Sequence, residues 1–127
     1  MMKFIFYPII LIFICLLSSC EFEHVQNGYP KHVHFPAEGG KIIANGKEFI
    51  YGIHIEKGSD FVSDYESYEN DTLTVSYNWL TVKNKHPSTS LDIIASPSDQ
   101  KKRRKLRIIA SFGNEYAEIN VSQDGID

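Results

Sequence analysis

Leu106-Arg107-Ile108-Ile109-Ala110-Ser111-Phe112-Gly113-Asn114-Glu115-Tyr116-Ala117-Glu118-Ile119-Asn120-Val121-Ser122-Gln123 is the stretch that decides the fold class. Leu106, Ile108, Ala110 and Phe112 fall at every second position, and Gly113-Asn114 is a turn signal. Ala117, Ile119, Val121 and Gln123 then share one face, with Tyr116, Glu118, Asn120 and Ser122 on the other. Successive side chains of a strand point to opposite faces, so a period of two with one apolar and one wet face predicts half-buried strands.

The same period continues towards the N-terminus. Leu91, Ile93 and Ala95 alternate, and Ser96-Pro97-Ser98-Asp99 makes a turn after them. Leu73, Val75 and Tyr77 alternate and run on towards Trp79-Leu80-Thr81-Val82. Phe49, Tyr51, Ile53 and Ile55 are predicted to share one strand face, ended by Lys57-Gly58-Ser59-Asp60. Lys41 to Ala44 precede Asn45-Gly46, a hairpin-type dipeptide. Val33 and Phe35 alternate with His32 and His34. Residues 59–72 are polar and acidic, with Phe61, Tyr65 and Tyr68 interspersed, and read as a long loop. No stretch shows a helical stripe. About seven short strands separated by turns predict an all-β, immunoglobulin-like antiparallel β-sandwich, with a small closed barrel as the alternative.

The first 20 residues read differently. Lys3 precedes an uncharged apolar run from Phe4 to Leu17, too short for a spanning helix of about 20 residues. A positive residue, a short apolar run and small residues make a secretory signal. Leu17-Ser18-Ser19-Cys20 resembles the bacterial lipobox, in which the Cys thiol takes a diacylglycerol thioether. The predicted layout is therefore a cleaved signal peptide at 1–19, a lipidated Cys20 with a tether to residue 30, and one domain at 31–127. Acyl chains at about 0.8 kcal/mol per buried CH₂ would hold such a protein on a membrane.

Composition removes several classes. The 127 residues are 43% hydrophobic and 13% aromatic, enough for one core and no second one. Two cysteines, one in the signal segment and one lipidated, leave no disulfide, cysteine zinc site or thiol nucleophile. Cleavage takes one of 13 basic residues, Lys3, and none of 16 acidic ones, moving the formal charge from −3 to −4. That balance argues against nucleic acid as a partner. No Gly-x-Ser-x-Gly, phosphate loop or His-Glu-x-x-His occurs, so no catalytic activity and no cofactor are expected.

Five segments in order resemble the BACON domain: Val33 to Gly40, Asn78-Trp79-Leu80-Thr81-Val82, Leu91 to Ala95, Arg104 to Ala110, and Ile119 to Gly125 with its Val-x-Gln-x-Gly ending. Residues 56–77 are longer and more acidic than the corresponding connection of that family. The resemblance implies an immunoglobulin-like sandwich on an exported lipoprotein of Bacteroidetes-type bacteria, held on the outer membrane, with glycan or mucin as ligand. The alternative it leaves is a spacer or protein-interaction subunit of an envelope complex.

Candidate ligand-binding residues are Tyr65, Tyr68 and Phe61, whose rings suit sugar C–H surfaces, with Asp64 as a hydroxyl acceptor. Their competing role is to pin the loop onto the sandwich. Lys101, Lys102, Arg103, Arg104, Lys105 and Arg107 are six basic residues in seven. They are candidates for an anionic glycan or lipid headgroup, or form a solvated hairpin tip facing the acidic 60–71 stretch. Trp79 reads as a core side chain, with a sugar platform as the alternative. His32 and His34, two apart on one strand face, have the chemistry to bind a metal with a third ligand such as His24, against a reading as polar surface. Asp60, Asp64 and Asp71 could hold calcium but lack the Asp-x-Asp-x-Asp-Gly pattern, and no metal is expected.

Overall fold

The computed structural model describes residues 23–65, 72–85 and 87–127. These form ten strands: β1 (Glu23–His24), β2 (His32–Phe35), β3 (Gly40–Asn45), β4 (Gly52–Lys57), β5 (Asp60–Tyr65), β6 (Thr72–Tyr77), β7 (Leu80–Lys85), β8 (Ser90–Ala95), β9 (Arg104–Phe112) and β10 (Glu115–Gln123). The larger sheet has the order β1-β10-β9-β4-β5, with β2 also on β10; the smaller is β3-β8-β7-β6. With β10, β9, β4 and β5 opposite β3, β8 and β7, this is the strand arrangement of an immunoglobulin-like sandwich. It is two sheets, not a closed barrel.

The alternations that predict the strands supply the core between the sheets. Ile108, Ile119, Val121, Leu91, Ile93, Leu80 and Val82 are fully buried, and their strand neighbours face outward or are partly covered. Gly113 takes φ 80° in the β9–β10 turn, a left-handed conformation that favours glycine.

Four local readings change. Leu73 to Val82 is not one strand. It is the β6–β7 hairpin, turned at Asn78-Trp79 with Tyr77 opposite Leu80 and Asn78 at φ 51°. Residues 60–65 are not loop but β5, paired with β4 through the Gly58 turn at φ 61°. None of its side chains is buried, so it carries no apolar alternation. Asn45-Gly46 makes no hairpin: β3 pairs with β8, and residues 46–51 cross to the other sheet. That crossing buries Ile50 and leaves Phe49 and Tyr51 exposed, so only Ile53 and Ile55 of the predicted face turn inward.

The stretch predicted as a tether is also part of the sandwich from Glu23 on. β1 and β2 run parallel to β10, along its first and last residues respectively. Between them the Gln26 side-chain amide donates to the Glu118 carbonyl at 2.8 Å. Tyr29 then turns into the core at 2% exposure. Its ring lies against Gly46, where any Cβ would sit 2.0 Å from a ring carbon. Its hydroxyl donates to the Thr89 carbonyl at 2.5 Å. The Asn-Gly dipeptide thus serves ring packing, which local turn rules do not register.

At the other end of β10, Gln123 is fully buried. Its Nε2 lies within 2.8 to 3.4 Å of the Ser96, Pro36 and Ala37 carbonyls, so its two hydrogens serve three acceptors. Its Oε1 accepts from Arg104 Nε at 2.8 Å. The Arg104 guanidinium in turn lies 4.9 Å above the Trp79 ring, a cation–π contact. Trp79 is buried, as its core reading requires.

Gln123→Leu would strand the Arg104 donor and three carbonyls, so it is expected to destabilise the fold by about 3 kcal/mol in urea denaturation. Burial pushes the Tyr29 hydroxyl up to about 12. Between the ordinary tyrosine value near 10 and that value, only the unfolded chain has lost the proton, so rising pH favours unfolding. The stability is full below about pH 10 and lost towards pH 12. Tyr29→Phe should remove this component, seen as a flatter alkaline limb of stability against pH.

Candidate functional site

The solvent face of the larger sheet collects aromatic side chains that lie far apart in sequence. The registers bring Tyr65 opposite Gly52, Ser63 opposite His54, Gly52 opposite Ser111, His54 opposite Ile109, and Ser111 opposite Tyr116. Tyr51, His54, Tyr65, Ile109, Ser111, Gly113 and Tyr116 line a shallow groove of about 340 Å³ there. Tyr65 is 65% exposed and Phe61 61%. Phe61 stacks on the His54 ring at 4.8 Å, and His24 of β1 stacks on Tyr116 at 5.4 Å.

Gly52 leaves room for the Tyr65 ring. A Cβ there would lie 2.7 Å from Cδ1 of Tyr65, so the ring rests over bare backbone, the cross-strand partnership in which an aromatic covers a strand glycine. The face changes character towards the middle of β9. Arg107 pairs with Glu56 and, at 3.8 Å, with Glu118, while His54 Nε2 lies 3.4 Å from Glu56. The groove therefore has a neutral aromatic floor and a charge-compensated margin.

Of the sequence candidates, Tyr65 lines the groove and Phe61 stacks beside it on His54. Tyr68 lies outside the described residues, as do Cys20 and the signal segment. Asp64 does not join them: strand alternation puts it on the opposite face, and its carboxylate accepts from the Tyr65 backbone N–H at 2.9 Å. His54 and Tyr51 were not legible as site residues. A lone His in an apolar alternation carries no signal, and Tyr51 reads as inward-facing. Tyr116 was legible only as a wet-face residue, since nothing local says which other rings share its face.

The basic run is dispersed. Arg107 belongs to the sheet face, and Arg103 pairs with Asp124 at 3.4 Å. Arg104 is taken up by Gln123 and Trp79. Lys101, Lys102 and Lys105 make no ion pair among the described residues. Among the described residues the carboxylates that meet the run are thus Glu56, Glu118 and Asp124. His34 Nε2 sits 3.1 Å from Asp124 while its Nδ1 lies 2.7 Å from the Ser122 hydroxyl. The His34 hydrogen bond, ahead of Arg103, holds the Asp124 carboxyl below the usual carboxylate range. His24 lies at the opposite end of β10 from His32 and His34. Among the described residues no three His, Cys, Asp or Glu side chains come together to hold a metal.

Gly52→Ala is expected to swing the Tyr65 ring off the strand without unfolding the protein. NOEs between the Tyr65 ring and the backbone of residue 52 should vanish while the β9–β10 cross-strand NOEs persist.

No protein-family model matches the chain, and no curated protein matches it. Among solved structures, the NMR structure of a protein from Bacteroides thetaiotaomicron is similar over 84% of this chain and 87% of its own, with a TM-score of 0.58 and 19% identity. At that identity the likeness bears on the fold alone.

Proposed function

We propose that this protein is a non-catalytic, lipid-anchored recognition module of the bacterial cell envelope, and that the Tyr65 groove binds glycan. The observation that carries this reading is the exposed Tyr65 ring beside a groove shared with Tyr51, Tyr116, His54 and Ser111. Flat aromatic faces pack on the C–H surfaces of sugar rings, and the hydroxyl and imidazole groups supply donors and acceptors at the edges. The BACON-like order of segments and the lipobox-like Leu17-Ser18-Ser19-Cys20 support the same reading, with the anchor in the outer membrane.

A second reading draws on β5. Among the described residues it is the end strand of its sheet, and it exposes Phe61 and Val62. An open edge with apolar side chains is where another protein adds a strand. On this reading the chain is an interaction subunit of an envelope complex and binds no carbohydrate.

A glycan array and a mucin pull-down with the 21–127 fragment separate the two. Glycan binding that Tyr65→Ala weakens by about fivefold, on loss of a stacking ring of order 1 kcal/mol, supports the first reading. Failure to bind any glycan overturns it. For the anchor, Cys20→Ala should release the protein from the membrane fraction; unchanged retention refutes lipidation.

A further inference from the structure

The end of the sandwich away from Glu23 holds a second cavity, of about 600 Å³, between the β6–β7 turn, the β8–β9 connection and the start of β9. Lys57, Arg104 and Lys105 line it together with Trp79, Ser96 and Ser98. Unlike Arg103 and Arg107, none of these three cations has a carboxylate partner among the described residues. Arg104 is held in place by neutral acceptors, Gln123 Oε1 at 2.8 Å and the Pro97 carbonyl at 3.4 Å, and by the Trp79 ring. Its charge is therefore uncompensated and its Nη1 hydrogens have no partner among the described residues. Asp99 is the one carboxylate on the wall. Uncompensated cations around a concave site focus a positive potential, and a fixed guanidinium is suited to an oxyanion.

The register also says which way this cavity faces. Glu23 lies beside Glu115 at the start of β10, and Arg104 lies opposite Gln123 at its end. Eight residues of strand separate the two, about 27 Å at 3.4 Å per residue. Three residues of chain from Cys20 to Glu23 reach at most about 11 Å. An anchor at Cys20 thus lies at the far end of β10 from the cavity, and with β10 upright on the membrane the cavity faces away from the protein's own bilayer.

We propose that this cavity binds the carboxylate or sulfate groups of an acidic polysaccharide presented from outside that membrane. The choice of polysaccharide among polyanions rests on the glycan-recognition reading above; the site itself is distinct from the Tyr65 groove.

The single Trp79, on the cavity wall, reports occupancy by its own fluorescence. The 21–127 fragment, which contains every described strand, is titrated with heparin, polygalacturonate, neutral dextran and phosphatidylglycerol vesicles. One or both acidic polysaccharides should shift the Trp79 emission with an affinity that falls as salt rises, and dextran should not. Lys57→Gln with Lys105→Gln should weaken binding about tenfold while leaving the urea midpoint unchanged. Asp99→Asn should strengthen it, and Tyr65→Ala should leave it unaltered. Absence of binding to both acidic polymers at low salt overturns the proposal, as does equal affinity in the double variant or a preference for the vesicles. Loss of binding in Tyr65→Ala would transfer the acidic glycan to the aromatic groove, refuting this site while supporting the earlier reading.

Discussion

A primary amide sealed from water must find its hydrogen bonds inside the protein, at a cost of about 2–7 kcal/mol if it does not. Gln123 meets that demand with partners from three other segments: residues 36–37 after β2, Ser96 after β8, and Arg104 at the start of β9. The final strand of the chain, β10, is thereby tied to both connections that pass between the sheets at this end of the sandwich. Close backbone approach completes the junction. A Cβ on Gly39 would lie 2.3 Å from the Ala95 carbonyl oxygen, and one on Gly125 2.0 Å from that of Lys101. The conformation of Arg104, and through it the cover over Trp79, follows from this one side chain.

Tyr29 plays the corresponding part at the other end. Its ring fills the space left by Gly46 and stacks on Phe112 at 5.8 Å, closing the core where the N-terminal segment enters. The two ends consequently differ in chemistry. The Tyr29 end leads on to the outward-facing aromatic groove, and the Gln123 end leads on to the cavity lined by cations. A chain with a modest overall charge therefore carries two surfaces of unlike character, and each is positioned by a buried anchor of the fold.

Strands that bury one face announce themselves, because burial imposes a period of two on the side chains. That is why β8, β9 and β10 were legible residue by residue. β5 buries nothing and was invisible to the same rule. The Asn78-Trp79 turn was hidden because a buried Trp in a turn looks like the continuation of an apolar run. Asn45-Gly46 reads locally as a hairpin because the same glycine that suits a hairpin also suits an aromatic ring arriving from 17 residues upstream. In the groove, Tyr65 stood out as an aromatic in a polar stretch, but His54 and Tyr51 did not, since their role depends on what lies across the sheet.

The sequence by itself determined the fold class and the part of the core that β8, β9 and β10 supply, since both follow from the alternation of apolar and polar side chains along single strands. It also singled out one member of the first candidate surface, Tyr65, and two of the second, Arg104 and Lys105. Only the tertiary structure decided which rings share a face, which basic residues are neutralised and which remain free. The reason is that strand pairing joins residues with no fixed sequence separation: Tyr65 meets Gly52 across a hairpin, Gly52 meets Ser111 across most of the chain, and Arg104 finds Gln123 and Trp79 from opposite directions. A local pattern specifies the face on which a side chain lies, and the register specifies its company.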